Sequence, residues 1–150
     1  MKDYMKEAFL EAEKGVQLKD GGPFGAVVVD PNGKIIGTGH NQVLTQHDPT
    51  AHAEITAIRA ACQSLHTHDL SGCTLYTLCE PCPMCLSAII WSNIKDVFYA
   101  CDRFDAASIG FRDDAIYHYL DGTRTDLLRI TPMDKTEYLT MFLHYDGSLY

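Results

Sequence analysis

Long apolar runs are absent from this 150-residue sequence: none approaches the roughly twenty residues that a membrane-spanning helix needs. The first residues, Met1-Lys2-Asp3-Tyr4, lead straight into an amphipathic pattern without the apolar core of an export signal. A cytoplasmic protein without a membrane partner is therefore expected. Basic clustering is absent too. Lys and Arg number 12 against 20 Asp and Glu, the net charge is −8, and the positive residues are scattered singly. Proteins that grip nucleic acid draw much of their affinity from a basic stripe facing phosphates. No nucleic-acid partner is expected, and a small, weakly charged substrate fits better. Repeats, low-complexity tracts and linkers are also missing. Residues 1–150 read as a single domain, long enough for one hydrophobic core.

What is present alternates between helix and strand patterns. Met5, Phe9, Ala12 and Val16 recur at spacings of three or four within residues 2–19, giving a helix ended by Asp20-Gly21-Gly22-Pro23. GAVVVD (25–30) reads as a buried strand and 34–39 as another. Asp30-Pro31-Asn32-Gly33 suits a type I turn closing an antiparallel hairpin. His47-Asp48-Pro49-Thr50 is expected to open a helix capped by Asp48 or Thr50, with Ile55, Ile58 and Cys62 on its apolar face. TLYTL (74–78) is a third strand, Pro81 and Pro83 start a third helix through Leu86, Ile89 and Ile90, and 97–101 is a fourth strand. After a loop and a helix around 116–120, a short parallel strand at 127–130 and a helix over 135–144 are expected. The sum is an α/β sandwich, a mixed sheet of five strands with helices on both faces.

The six cysteines carry the chemistry. Cys62, Cys73 and Cys101 fall in apolar or strand-like stretches and read as buried thiols. Cys82 and Cys85, in PCPMC (81–85), open a helix three residues apart, where the helix N-terminus favours the thiolate a metal needs. His52, in AHAE (51–54), also opens a helix and completes three protein ligands. That leaves a fourth position for water, the pattern of catalytic zinc. Glu54 lies beside the ligand histidine as a proton carrier. His52 and Glu54 are about 200° apart on a regular helix, so the metal is expected off the helix end, where first-turn side chains converge. The alternatives are a closed structural site that adds Cys79, and a redox cysteine pair.

These residues form the pattern H-x-E…P-C-x-x-C of zinc nucleobase deaminases. From about Gly22 to Ala100 the chain resembles the cytidine deaminase-like superfamily. Within it, GGPFGAVVVD (21–30), HDPTAHAEITAIRAAC (47–62), LYTLCEPCPMCLSAIIW (75–91) and VFYACDRFDAASIGFRDDAIY (97–117) are similar to bacterial guanine deaminases. The first three segments are partly shared with tRNA adenosine deaminases. The resemblance implies a three-layer α/β/α sandwich around a five-stranded sheet. It implies one zinc ion held by His52, Cys82 and Cys85, with Glu54 as proton shuttle. It further implies that Asn41 hydrogen-bonds the base, that Phe24 and Trp91 line the pocket, and that Asp113 or the adjacent Asp114 reads the purine edge. Tyr150 resembles the terminal Tyr of a tail that closes over the site of a partner subunit.

The implied reaction is guanine to xanthine with release of ammonia. Zinc brings the pKa of its water to about 7. Glu54 takes that proton, protonates a ring nitrogen during attack by zinc-bound hydroxide, and delivers a proton to departing ammonia. The rivals are deamination of guanosine, an ammeline-type triazine, cytosine or tRNA adenosine, and, outside enzymes, a non-catalytic zinc-binding scaffold. Leu86, Ile89, Ile90 and Trp91 on one helix also suggest a homodimer face.

Overall fold

The computed structural model describes residues 3–147, 149 and 150, so the expected first helical residue, Lys2, lies outside the described residues. Helix α1 spans Tyr4–Gln17 and is capped by Asp3, whose carboxylate accepts from Lys6 N–H. Strands β1 (Gly25–Val29) and β2 (Ile35–His40) follow, then the short helix α2 (Val43–Gln46) and helix α3 (Ala53–Leu65). Next come β3 (Thr74–Cys79), α4 (Pro83–Trp91) and β4 (Asp96–Cys101). Helices α5 (Arg103–Ser108), α6 (Asp113–Leu120) and α7 (Leu139–Leu143) complete the order.

The sheet runs β2-β1-β3-β4, with β1 antiparallel to both neighbours and β3 parallel to β4. Alternation along the strands sorts the layers. Ala26, Val28 and Leu75 pack with Ala53, Ala57, Ile58 and Ala61 of α3 and with Ile89 of α4. The intervening positions face α1, where a Cβ on Gly25 would stand 2.0 Å from the Ala8 carbonyl oxygen. On the other face, Gly37 and Gly39 of β2 let α3 lie flush. A Cβ at either would approach the carbonyl oxygen of Ala57 at 2.3 Å or of Ala53 at 2.6 Å. The hairpin turn is as the sequence suggests: Gly33 N–H donates to Asp30 O at 3.0 Å, and Gly33 takes φ +79°.

Five features differ from the sequence reading. The sheet has four strands, not five, because residues 127–130 form no strand. Every described residue from Leu120 to Tyr150 is exposed, so none of the apolar side chains described in that segment is buried within the chain. The last helix shrinks from 135–144 to Leu139–Leu143 for the same reason, since an isolated short helix gains too little without packing. Residues 47–50 do not start a helix: the Asp48 carboxylate accepts from Thr50 N–H and Oγ1 in a local turn, and α3 begins at Ala53. Finally, α1 buries Ala8, Ala12 and Gly15 rather than Phe9 and Val16, and Cys101 is exposed on edge strand β4.

Candidate active site

Two helix N-termini meet at the site. His52 is the N-cap of α3 and Cys82 the N-cap of α4, both with extended backbone, while Glu54 and Cys85 lie in the first turns. This resolves the two-residue spacing of His52 and Glu54. The histidine stands outside the helix, so its ring and the Glu54 side chain need not share a helical face. His52 Nδ1 lies 3.5 Å from Cys82 Sγ and 3.5 Å from Cys85 Sγ, and the three donors all fall within 4.8 Å of one another. Tetrahedral zinc with bonds of about 2.0–2.3 Å sets neighbouring N and S donors roughly 3.5–3.8 Å apart, so these residues fit the ion.

The electrostatics prepare the thiols unequally. The hydrogen bond from Cys85, then that with His52, hold the Cys82 thiol down at about 4. The same bond to Cys82, with burial, pushes Cys85 up. The Cys82 sulfur in turn raises His52. Cys79, the possible fourth ligand of a closed site, stands apart: its thiol approaches the Asp102 carbonyl at 3.7 Å, and burial pushes it up to about 12. A closed four-ligand site is therefore not what these side chains build.

Glu54 is 5% exposed. Thr77 Oγ1 donates to its Oε1 at 3.0 Å, the Cys85 thiol contacts Oε2 at 3.4 Å, and burial raises the carboxyl above its ordinary value. A cavity of about 390 Å³ opens beside these groups. Phe24, Asn41, His52, Glu54, Cys82 and Asp113 all line it. Asn41 is buried, its Oδ1 accepting from Val43 N–H at 3.1 Å. Phe24 packs edge-on against Phe111, ring centres 4.7 Å apart.

A zinc-ligand triad beside a buried glutamate, at the end of a base-sized cavity, is matched by a family comparison. Residues 1–101 fit the model of the cytidine and deoxycytidylate deaminase zinc-binding region. The chain belongs to this deaminase family. It is a zinc-dependent deaminase, a hydrolase. It is 54% identical over 118 residues to a guanine deaminase of Bacillus subtilis (strain 168), covering 79% of this chain and 75% of that one. The X-ray structure of guanine deaminase from Bacillus subtilis superposes with a TM-score of 0.86 at 44% identity, covering 98% of this chain and 96% of that one. A tRNA-specific adenosine deaminase of the same organism is 46% identical over 96 residues, 64% of this chain and 58% of that one.

In this deaminase the remaining candidates divide. Asp113 faces the cavity with its carboxyl raised by burial. Asp114 is instead ion-paired with Arg103 at 3.5 Å and His118 at 3.3 Å and does not line the cavity. Trp91 and Tyr150 do not reach the cavity of their own chain. Trp91 closes the far end of α4, and the Tyr150 ring lies against it, tilted by 47° with ring centres 5.5 Å apart. Sequence reasoning missed Thr77, Glu80 and Phe111 at or beside the cavity. Thr77 had a signal, because alternation along β3 puts it on the face of Leu75, where a hydroxyl needs a partner. Glu80 accepts from Arg103 N–H at 2.9 Å, a tertiary contact that no local pattern announces.

Proposed function

We propose that this deaminase hydrolyses free guanine to xanthine and ammonia. The observation that carries the reading is a buried glutamate at the junction of the metal donors and a cavity also walled by Asn41 and Asp113. The choice of guanine is supported by the 54% identity to a guanine deaminase. His52, Cys82 and Cys85 hold the zinc, which when bound supplies Lewis-acid activation of water near neutral pH.

The other steps belong to the chain itself. Thr77 fixes Glu54 Oε1, and the hydrogen that Cys85 offers Oε2 departs when that thiol becomes a ligand. Oε2 is then the oxygen that takes a proton from the attacking water, gives it to a ring nitrogen and carries one to the leaving ammonia. A carboxyl raised by burial suits that traffic, because it holds a proton more readily than a solvated glutamate. Asn41, its Oδ1 already engaged, offers its amide hydrogens to a ring acceptor of the base, and Asp113 accepts from the N–H edge. Phe24 stacks beside the ring.

The protein acts as a cytoplasmic homodimer in this reading. Leu86, Ile90 and Trp91 on α4, and the apolar residues after Leu120, are exposed in the single chain. Trp91 and Tyr150, remote from their own cavity, contribute to a base site only in a second copy. The testing experiment is ammonia release from guanine, guanosine, ammeline, cytosine and adenine, with and without chelator. Guanine is expected to react, chelator to abolish turnover, and added salt to leave it unchanged. Salt-sensitive activity confined to tRNA would point to the adenosine-deaminase reading instead, and no release from any substrate would leave a zinc-binding scaffold.

A further inference from the structure

The imidazole at the end of β2 is buried between two acids that take no part in the chemistry above. His40 is 6% exposed. Its Nδ1 lies 3.1 Å from Glu11 Oε2 on α1, and its Nε2 lies 2.7 Å from Asp20 Oδ2 in the loop after α1. The helix presses on the ring: a Cβ at Gly15 would stand 2.7 Å from His40 Cδ2. His40 does not line the cavity, yet what it holds does.

Asp20 is the anchor. Its Oδ1 accepts from Thr45 Oγ1 at 2.5 Å, and its backbone carbonyl accepts from Leu44 and Thr45 N–H at 3.0 and 3.3 Å, so Asp20 makes three of the bonds that hold α2, beside that from Val43 N–H to Asn41 Oδ1. Gly21 and Gly22 follow Asp20 directly, and Asn41 follows His40. Asn41 N–H donates to Phe24 O at 3.1 Å, which ties the loop before β1 to the same point. One wall of the cavity, from Gly21 through Asn41 to Leu44, is therefore fastened by the His40–Asp20 pair. The facing wall, with His52, Glu54 and Cys82, is carried by α3 and α4 against the sheet.

We propose that His40 is a positioning residue for substrate binding, setting the base-reading wall around Asn41 at its working distance from the metal wall, with Asp20 as anchor and Glu11 as backstop. This rests on the reading of Asn41 as a base contact. Truncating a buried hydrogen bond between a ring and a carboxylate moves a whole segment, and here the segment bears on binding rather than on the proton carrier.

The test is steady-state kinetics of the zinc-loaded full chain on whichever base the unaltered protein turns over. His40→Gln, which cannot reach both acids, is expected to raise KM about tenfold or more while kcat stays within about threefold. Zinc content should stay at the unaltered level. Thr45→Val removes one bond to Asp20 from an exposed position, and should raise KM about threefold without threatening the fold. A lowered Tm with KM unmoved in the soluble variants would make the cluster purely structural and overturn the proposal. A fall in kcat at constant KM would overturn it as well. Should the unaltered protein release ammonia from no base, the proposed function falls first and this inference with it; turnover with an unmoved KM removes the inference alone.

Discussion

Glu54 shows most clearly what one residue's surroundings do. Burial raises its carboxyl above the ordinary 4.5, so the folded, zinc-free protein binds more protons there than the unfolded chain. Such a group costs nothing below the unfolded value and destabilises increasingly as pH rises through the folded one. In chelator-treated protein, Glu54→Gln should therefore raise Tm at about pH 8, with the gain shrinking towards about pH 5. A gain that grows towards acid would contradict a buried acid. With zinc restored, the same variant should bind metal and lose turnover by about 10²–10⁴-fold. Asn41→Ala and Asp113→Asn should chiefly raise KM for guanine, by about ten- to a hundredfold for a lost buried hydrogen bond. The convergence of His52, Cys82 and Cys85, with Glu54 beside them, was legible because these residues fall in two short segments that open helices. Thr77 and Asp114 were not. The partner of the first and the outward turn of the second depend on which strand and helix lie alongside.

At the scale of elements, β2 and α3 depend on two missing side chains. Gly39 lies under the first turn of α3, which carries Glu54 and follows His52, whereas Gly37 lies a turn further along. Gly39→Ala should cost about 1–3 kcal/mol in urea unfolding. It should also weaken zinc binding more than Gly37→Ala does, as read by competition with a chromogenic chelator. Equal effects on zinc would mean that α3 moves as a rigid rod. The sequence announced strands β1 to β4 through apolar runs and turn residues, yet gave no sign that the glycines of β2 accommodate a helix. It over-read residues 127–130 and 135–144, where apolar pattern alone cannot make a strand or a long helix without a surface to cover. It missed α2 because that helix is only Val43–Gln46, held by the Asp20 carbonyl rather than by its own periodicity.

For the whole molecule, the exposed stretch after Leu120 is the dominant fact. Leu127, Ile130, Met133, Phe142 and Leu143 are all open to solvent in the single chain, more apolar side chain than a stable monomer usually presents. Light scattering at micromolar protein should give twice the chain mass, and Tm should rise with protein concentration by mass action. A single-chain mass at all concentrations would rule out the homodimer. Composition, with a net charge of −8, favoured a small, weakly charged substrate over a polyanion. It could not show that the last fifth of the chain lies outside the sandwich, since its apolar content is that of a core.

The unequal sulfurs also decide how the protein must be handled. Cys82 and Cys79 both border the cavity, one thiol held at about 4 and the other pushed up to about 12. Stripped of zinc at neutral pH, Cys82 is expected to be the more nucleophilic of the two thiols. One equivalent of iodoacetamide should label Cys82 and spare Cys79 in peptide maps, and zinc added beforehand should block the label. The ion would thus double as a protecting group, and an apo preparation left in air is expected to lose its capacity to be reactivated by added zinc while its fold, read by circular dichroism, stays intact.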